Sequence, residues 1–351
     1  MGIPRRATEP GNVRLYLATA VVAQHLGVPW IGALCVLLFF ILSGYWICTL
    51  WKLKYRLCRH PYLVFILSRY WRLLPVYLTC VFLAGLCIWR FSGWWPSWTT
   101  HFTDPRWVLS TLLILGCASQ PHMLPPVWSL DIEMQFYLLA PAVIALTAFT
   151  AVPAFRKTKA AGLFGLCILG FLWLPLATNL GTYLLFFVTG CALAHTRWKP
   201  SPALVFPCAL LALAVFLTTL WLVETRPGGP HGIADVQGVR LPSLACVALM
   251  VPFLALSLQT RSDHLDRILG DMAYPIYLFH YVPFLMLDHL RVIHAAPVLL
   301  QVALNLLLMT GGSLGIYFLL DRPIDRMRRA YIEREVTLGG QKAAPLGAPA
   351  G

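Results

Sequence analysis

Residues 31–50 read IGALCVLLFFILSGYWICTL, a run without one charged side chain. A helix needs about 20 mainly apolar residues to cross a hydrocarbon core of roughly 30 Å, and this stretch is long enough. Ser43 and Gly44 make a small step in its middle, where a helix or a ligand can come close; ordinary helix packing accounts for that step equally well. Comparable apolar segments lie at 12–28, 30–51, 72–91, 127–148, 160–178, 181–194, 203–223, 242–259, 272–290 and 297–320, with a weaker one at 107–118. The expected fold is therefore all-α: a polytopic integral membrane protein of about ten transmembrane helices, with 107–118 as a re-entrant or interfacial piece.

Composition points the same way. Of 351 residues 12% are charged and 59% hydrophobic, against about 25% charged in a soluble domain. The ten cysteines fall mostly inside apolar runs and form no CxxC pair, so they read as small core residues, and no metal site is expected. A net charge of +13 would suggest nucleic acid in a soluble chain, but here its distribution assigns it to topology. With the N-terminus inside, the inner loops collect Arg5, Arg6, the basic block from Lys52 to Arg72, then Arg156, Lys157, Lys159, Arg197, Lys199, Arg261, Arg267 and the group from Arg322 to Arg334. The outer loops hold Arg106, Arg226, Arg240 and Arg291. This asymmetry predicts a multi-pass cell-membrane protein with both termini cytoplasmic. The first apolar segment contains Arg14 and His25 and precedes no small-residue cleavage site, so it is expected to be a retained helix. Residues 1–332 are expected to form one membrane domain, and 333–351 a disordered cytoplasmic tail. No internal repeat is evident.

Ionisable residues inside such segments are informative, because a charge at mid-membrane costs about 2.5 to 3.5 kcal/mol on insertion scales. Arg14 and His25 are eleven residues apart, which returns them to nearly the same helix face about 16 Å apart along the axis. An interfacial anchor and a hydrogen-bonded core histidine would explain the pair as well. Arg69 and Arg72 lie one turn apart at the expected cytoplasmic start of the third span, where two planar donor forks suit a phosphate; a plain topogenic cluster is the alternative. In the run from Val127 to Tyr137, VWSLDIEMQFY, residues Ser129, Glu133, Phe136 and Tyr137 share one stripe. Tyr277 and His280 are one turn apart in the ninth span, where His280 alone would read as a core histidine. Polar groups within spans also fit a transporter of a polar or acylated small molecule, but paired repeats and matching broken helices are missing from the sequence.

Taken in order, these segments resemble acyltransferase family 3, the membrane acyltransferases that include bacterial O-antigen, peptidoglycan and macrolide O-acyltransferases. The likeness runs over residues 12–330. It rests on Arg14 and His25 as a basic residue, ten residues and a histidine; on Phe39 to Gly44 as Phe-Phe-x-x-Ser-Gly; on Arg69 and Arg72 as Arg-x-x-Arg; and on Trp128 to Tyr137 as Trp-Ser-Leu-x-x-Glu-x-x-Phe-Tyr. Asp321-Arg322-Pro323 is similar to the family's Glu-x-Pro, and the acidic and glycine residues usual before the first arginine are replaced by Gly11-Asn12-Val13.

The resemblance implies an O-acyltransferase that moves an acyl group, by default acetyl, from cytoplasmic acyl-coenzyme A to a hydroxyl of a cell-envelope glycan or a macrolide-like small molecule. Arg69 and Arg72, with Arg14, are expected to hold the coenzyme A phosphates. His25 is expected to act as general base or to carry the acyl group, with Glu133 orienting or charge-balancing it. Ser43, Trp128, Ser129, Tyr137, Tyr277 and His280 are expected along the substrate path. The expected partners are acyl-coenzyme A, the hydroxyl acceptor and the lipid bilayer, with room for a separate extracytoplasmic transfer protein and no nucleic acid.

Overall fold

The computed structural model describes residues 5–28, 30–91, 101, 103–149, 156–176, 178–224, 239–289 and 296–343. Among them, all regular structure is helical. The α-helices are α1 (Pro10–His25), α2 (Ile31–Leu53), α3 (Pro61–Phe91), α4 (Pro105–Leu113), α5 (Val127–Phe149), α6 (Arg156–Trp173) and α7 (Leu180–Thr196). They continue as α8 (Pro202–Glu224), α9 (Arg240–Leu258), α10 (His264–Phe279), α11 (Tyr281–His289), α12 (Val298–Ile316) and α13 (Arg322–Ala343).

Six helical stretches among the described residues are long and apolar enough to cross a membrane: α2, α3, α5, α8, α9 and the continuous run that begins with α12. The expected ten are not reached on this criterion. Helices α6 and α7 are apolar but shorter. Helix α1, with 16 residues, is about 24 Å long. Helix α10 carries Asp266, Arg267 and Asp271. The weak segment yields α4 of 9 residues, about 14 Å and too short to cross.

Two boundaries differ from the sequence reading. Helix α3 begins at Pro61, whose fixed φ suits a first helical position, so Arg69 and Arg72 sit two to three turns inside it and not at its mouth. Helix α13 extends to Ala343, so residues 333–343, expected to be disordered, are helical. Its C-terminal part packs on the turn before α3, where Arg59 donates its backbone N–H to the Glu335 carbonyl at 3.2 Å. The expected tail beyond it, 344–351, lies outside the described residues.

Close helix approach is made possible by glycine at two crossings. Where α2 meets α7, a Cβ on Gly44 would overlap the Phe187 backbone, and one on Gly190 the Ile41 carbonyl. Where α1 meets α10, a Cβ on Gly270 would lie 2.7 Å from the Gly11 Cα and would overlap the Arg14 guanidinium. The second crossing is pinned by Asp266, whose carboxylate accepts from the Gly11 and Asn12 amides at 3.0 and 2.7 Å, negative charge at the positive end of α1. Between α12 and α13 a π-helical turn, Tyr317–Asp321, widens the helix and leaves Asp321 buried against α3.

Candidate active site

A cavity of about 380 Å³ opens between α2, α3, α5, α10 and α13, with Arg14 reaching it from α1. Arg14, Ser43, Arg69, Arg72, Ser129, Glu133, Tyr137 and Tyr277 all line it. The α5 contribution follows from helical periodicity, since Ser129, Glu133 and Tyr137 recur every four residues on one face. Trp128, one residue and about 100° away, leaves the cavity for a packing layer with Phe40 and Tyr183, its ring 6.3 and 5.5 Å from theirs. Phe136 likewise turns to α7 and stacks on Phe187 at 4.1 Å.

Glu133 is held by hydroxyls. It accepts from Ser43 at 2.6 Å and from Tyr137 at 2.5 Å. Nearby, the Ser129 and Tyr277 hydroxyls are 2.6 Å apart. Glu133 was expected to orient His25, but its hydrogen bonds lie with Ser43 and Tyr137. His25 is the last residue of α1, and its ring faces His280, Tyr281 and Phe284 at 5.1, 5.9 and 6.3 Å. The reason is the register already noted: eleven residues carry His25 about 16 Å beyond the level of Arg14.

His25 and His280 do not line the cavity. They sit one ring beyond it, because the Tyr277 ring is 6.4 Å from that of His280. His280 is fully buried, with Nδ1 3.3 Å from the Ile276 carbonyl and Nε2 without a hydrogen-bond partner among the described residues.

The opposite end is rich in guanidinium groups, and they are not equivalent. Arg72 donates through Nη1 to both oxygens of Asp321 at 2.7 and 2.8 Å and lies over the Tyr274 ring. Arg69 is buried among the Tyr55, Phe65 and Tyr137 rings and donates to the Tyr55 hydroxyl. The Nε atoms of Arg14 and Arg69 are both buried without a hydrogen-bond partner among the described residues. The expected Arg69–Arg72 pair thus divides into one residue committed to a carboxylate and one that is not.

Residues 9–322 match the model of the acyltransferase family 3, described as an acyltransferase domain. The chain belongs to acyltransferase family 3. It accordingly carries an acyltransferase domain, set among helices long and apolar enough to cross a membrane. It is 28% identical over 332 residues to the exopolysaccharide production protein ExoZ of Rhizobium meliloti strain 1021, covering 88% of this chain and 93% of that protein. It is 25% identical over 315 residues to the peptidoglycan O-acetyltransferase OatA of Listeria monocytogenes, covering 77% of this chain and 48% of that one. For the O-acetyltransferase OatA of Staphylococcus aureus strain NCTC 8325 the identity is also 25%, over 79% of this chain and 50% of that protein. The chain therefore spans about half the length of these OatA proteins. No solved structure matches it.

Several cavity residues of this acyltransferase were not anticipated. Asp271 and Tyr274 come from α10, and Asp325, Arg328 and Arg329 from α13. The α13 arginines were read only as cytoplasmic charge. Their spacing held a signal: Asp325, Arg328 and Arg329 stand at i, i+3 and i+4, one face of a helix.

Proposed function

We propose that this family 3 enzyme transfers an acyl group, acetyl by default, from cytoplasmic acyl-coenzyme A to a hydroxyl of a cell-envelope glycan. The observation that carries this reading is the polarity of the cavity, with arginines at one end and, one ring past Tyr277, two histidines at the other. Guanidinium forks suit phosphate oxygens, and imidazole is the side chain whose titration lies nearest neutral pH.

In this scheme Arg14 and Arg69 hold donor phosphates, while Arg72, engaged by Asp321, shapes the same wall. The pantetheine arm runs along the Ser43, Glu133 and Tyr137 side towards Tyr277 and carries the thioester to His25. His25 takes the proton of the acceptor hydroxyl as that oxygen attacks the thioester carbonyl; the C–S bond breaks and coenzyme A leaves as the thiolate, which the histidine reprotonates. Transfer through an acyl-His25 intermediate uses the same geometry. Ser129 and Tyr277 face the transit path. His280 backs the His25 ring, a positioning role, and Trp128 supports the wall from behind.

A glycan acceptor is supported by the relatives, whose names refer to exopolysaccharide production and peptidoglycan O-acetylation. The distribution of basic residues supports ten crossings with both termini in the cytoplasm, residues 1–332 forming the catalytic domain in the cell membrane. Under that topology the arginine end faces the cytoplasmic donor, and the acceptor side can be served by a separate extracytoplasmic protein. Mass spectrometry of envelope glycans and small metabolites from cells with and without the protein tests the reading. An acyl increment on a glycan that depends on the protein is expected; an increment confined to a small molecule would replace the acceptor, and none at all would remove the assignment.

A further inference from the structure

Helix α13 contributes a carboxylate and two guanidinium groups to the cavity, and their bonding is unusual for a topogenic cluster. Arg328, with only 12% of its side chain exposed, donates from Nε to Asp325 Oδ1 at 3.0 Å and pairs with it again through a terminal nitrogen. Its other terminal nitrogen donates to the Ser68 hydroxyl of α3 at 3.0 Å. Arg69 reaches the same oxygen at 3.4 Å, and the Tyr55 hydroxyl lies 2.8 Å from it. Two guanidiniums from helices far apart in sequence thus converge on one fully buried serine.

Like charges repel strongly where water is scarce, so such a convergence calls for an anion. The protein supplies one incompletely. Asp325 is shared by Arg328 and Arg329, the latter donating to Oδ2 at 2.5 Å. Arg69 has no carboxylate partner among the described residues, and its Nε is buried and unpaired although the residue is only 8% exposed. Arg72 cannot be released in the same way, because Asp321, 4% exposed, would be left as a buried unpaired carboxylate.

We infer that Arg328 and Arg69 form a phosphate seat across Ser68, and that Asp325 occupies Arg328 until a phosphate of the donor displaces it. This rests on the acyl-coenzyme A reading above. Arg328 holds Asp325 through two nitrogens on the single oxygen Oδ1, and a phosphate oxygen can accept from the same two donors, so the exchange replaces one charge-assisted contact by another. Charge repulsion between Asp325 and the arriving phosphate drives the carboxylate off Arg328, and Arg329, 59% exposed, keeps a partner for it at the cavity rim. The donor site is then Arg14, Arg69 and Arg328, drawn from the first, third and last helices, and Asp325 is its internal competitor.

The test is titration of the purified full-length protein in lipid nanodiscs with coenzyme A and, as a phosphate-free control, pantetheine. Wild type is expected to bind coenzyme A and not pantetheine. Arg328→Gln should weaken coenzyme A about tenfold or more, Arg328→Lys should recover part of the loss, and Asp325→Asn should tighten binding several-fold. Thermal unfolding of each variant identifies those that remain folded, and the lysine variant keeps the charge where the glutamine variant fails to fold. Wild-type affinity in folded Arg328→Gln, with a loss in Arg69→Gln, would overturn the seat while leaving the donor reading intact. Weaker binding in Asp325→Asn would overturn displacement, marking Asp325 as a residue that orients Arg328. Absence of coenzyme A binding by wild type would remove the donor reading and the seat with it.

Discussion

At one end of the cavity Arg69, Arg72 and Arg328 are each engaged by other side chains, whereas beyond the other end His25, among the described residues, faces the rings of His280, Tyr281 and Phe284. The arginine end draws on α1, α3, the π-helical turn and α13; Arg72 and Arg328 are fixed in direction by contacts distant in sequence, and Arg69 by the Tyr55 hydroxyl. No carboxylate bonds either histidine among the described residues. The contrast matches two kinds of work. An anion site needs permanent charge held in place, which carboxylates, hydroxyls and aromatic faces provide. A general base needs a lone pair left unoccupied, and a carboxylate tied to His25 would change its basicity as well as its orientation.

The largest expected effect separates the two ends directly. His25→Gln should reduce transfer per folded molecule by about 10²- to 10⁴-fold, the usual worth of a general base, with coenzyme A affinity unchanged. Single-turnover acyl transfer and a binding titration on the same preparation measure both. If affinity fell in parallel with rate, the two ends would not be independent. If rate stayed near wild type, the histidine end would be a packing feature.

Much of this contrast was legible in the sequence, and the part that was not has a physical reason. Periodicity on α5 placed Ser129, Glu133 and Tyr137 on one face, the motifs named Arg14, Ser43, Arg69 and Arg72, and Tyr277 stood out one turn from His280; all of these except His280 line the cavity. Pairing was hidden because it depends on helices far apart in the chain: Asp321 on Arg72 spans 249 residues, and Arg328 on Ser68 spans 260. Local spacing cannot reveal such contacts. The same limit hid the hydrogen bonds that Glu133 accepts from Ser43 and Tyr137, where the sequence reading has it orienting or charge-balancing His25. Span counting is limited differently: α1 and α10 are short or charged yet buried along one side, and hydropathy alone does not distinguish a crossing from a helix sheltered by its neighbours.

Arg72 offers the next break in the comparison, because it lies at the ligand end but is bonded as a structural residue. Arg72→Met leaves Asp321 buried without its partner, and removal of one member of a buried pair costs about 3–5 kcal/mol. With Arg72 19% exposed, the lower part of that range is expected. A lower melting temperature, with coenzyme A affinity largely kept in the protein that remains folded, is the expected outcome, and Asp321→Asn added to Arg72→Met should restore part of the stability. Unchanged melting with lost affinity would return Arg72 to the donor site.

The α1–α10 crossing gives a smaller effect that couples packing to the arginine end. Gly270→Ala places a methyl group against the Gly11 backbone and the Arg14 guanidinium. Overpacking of this kind costs about 1–3 kcal/mol. Because the guanidinium is the movable neighbour, part of the strain should appear as a displaced Arg14 and weaker coenzyme A binding. Gly312→Ala is the control: its Cβ meets the Phe279 ring, remote from Arg14, so it should lower stability with donor affinity preserved.

The smallest effect concerns Trp128, where motif and geometry disagree. The family motif makes Trp128 a candidate for the acceptor path, yet its ring packs between Phe40 and Tyr183, outside the cavity. Phenylalanine retains an aromatic face in that layer and loses part of the buried volume, so Trp128→Phe should cost on the order of 1 kcal/mol of stability. The apparent KM for the acceptor should stay at its wild-type value, because no atom that contacts the acceptor has been removed. A raised acceptor KM with unchanged melting would instead put Trp128 on the acceptor path, and would show that the histidine end extends behind α5 towards α7. Measuring melting temperature and acceptor KM on one preparation decides between a supporting wall and a binding surface.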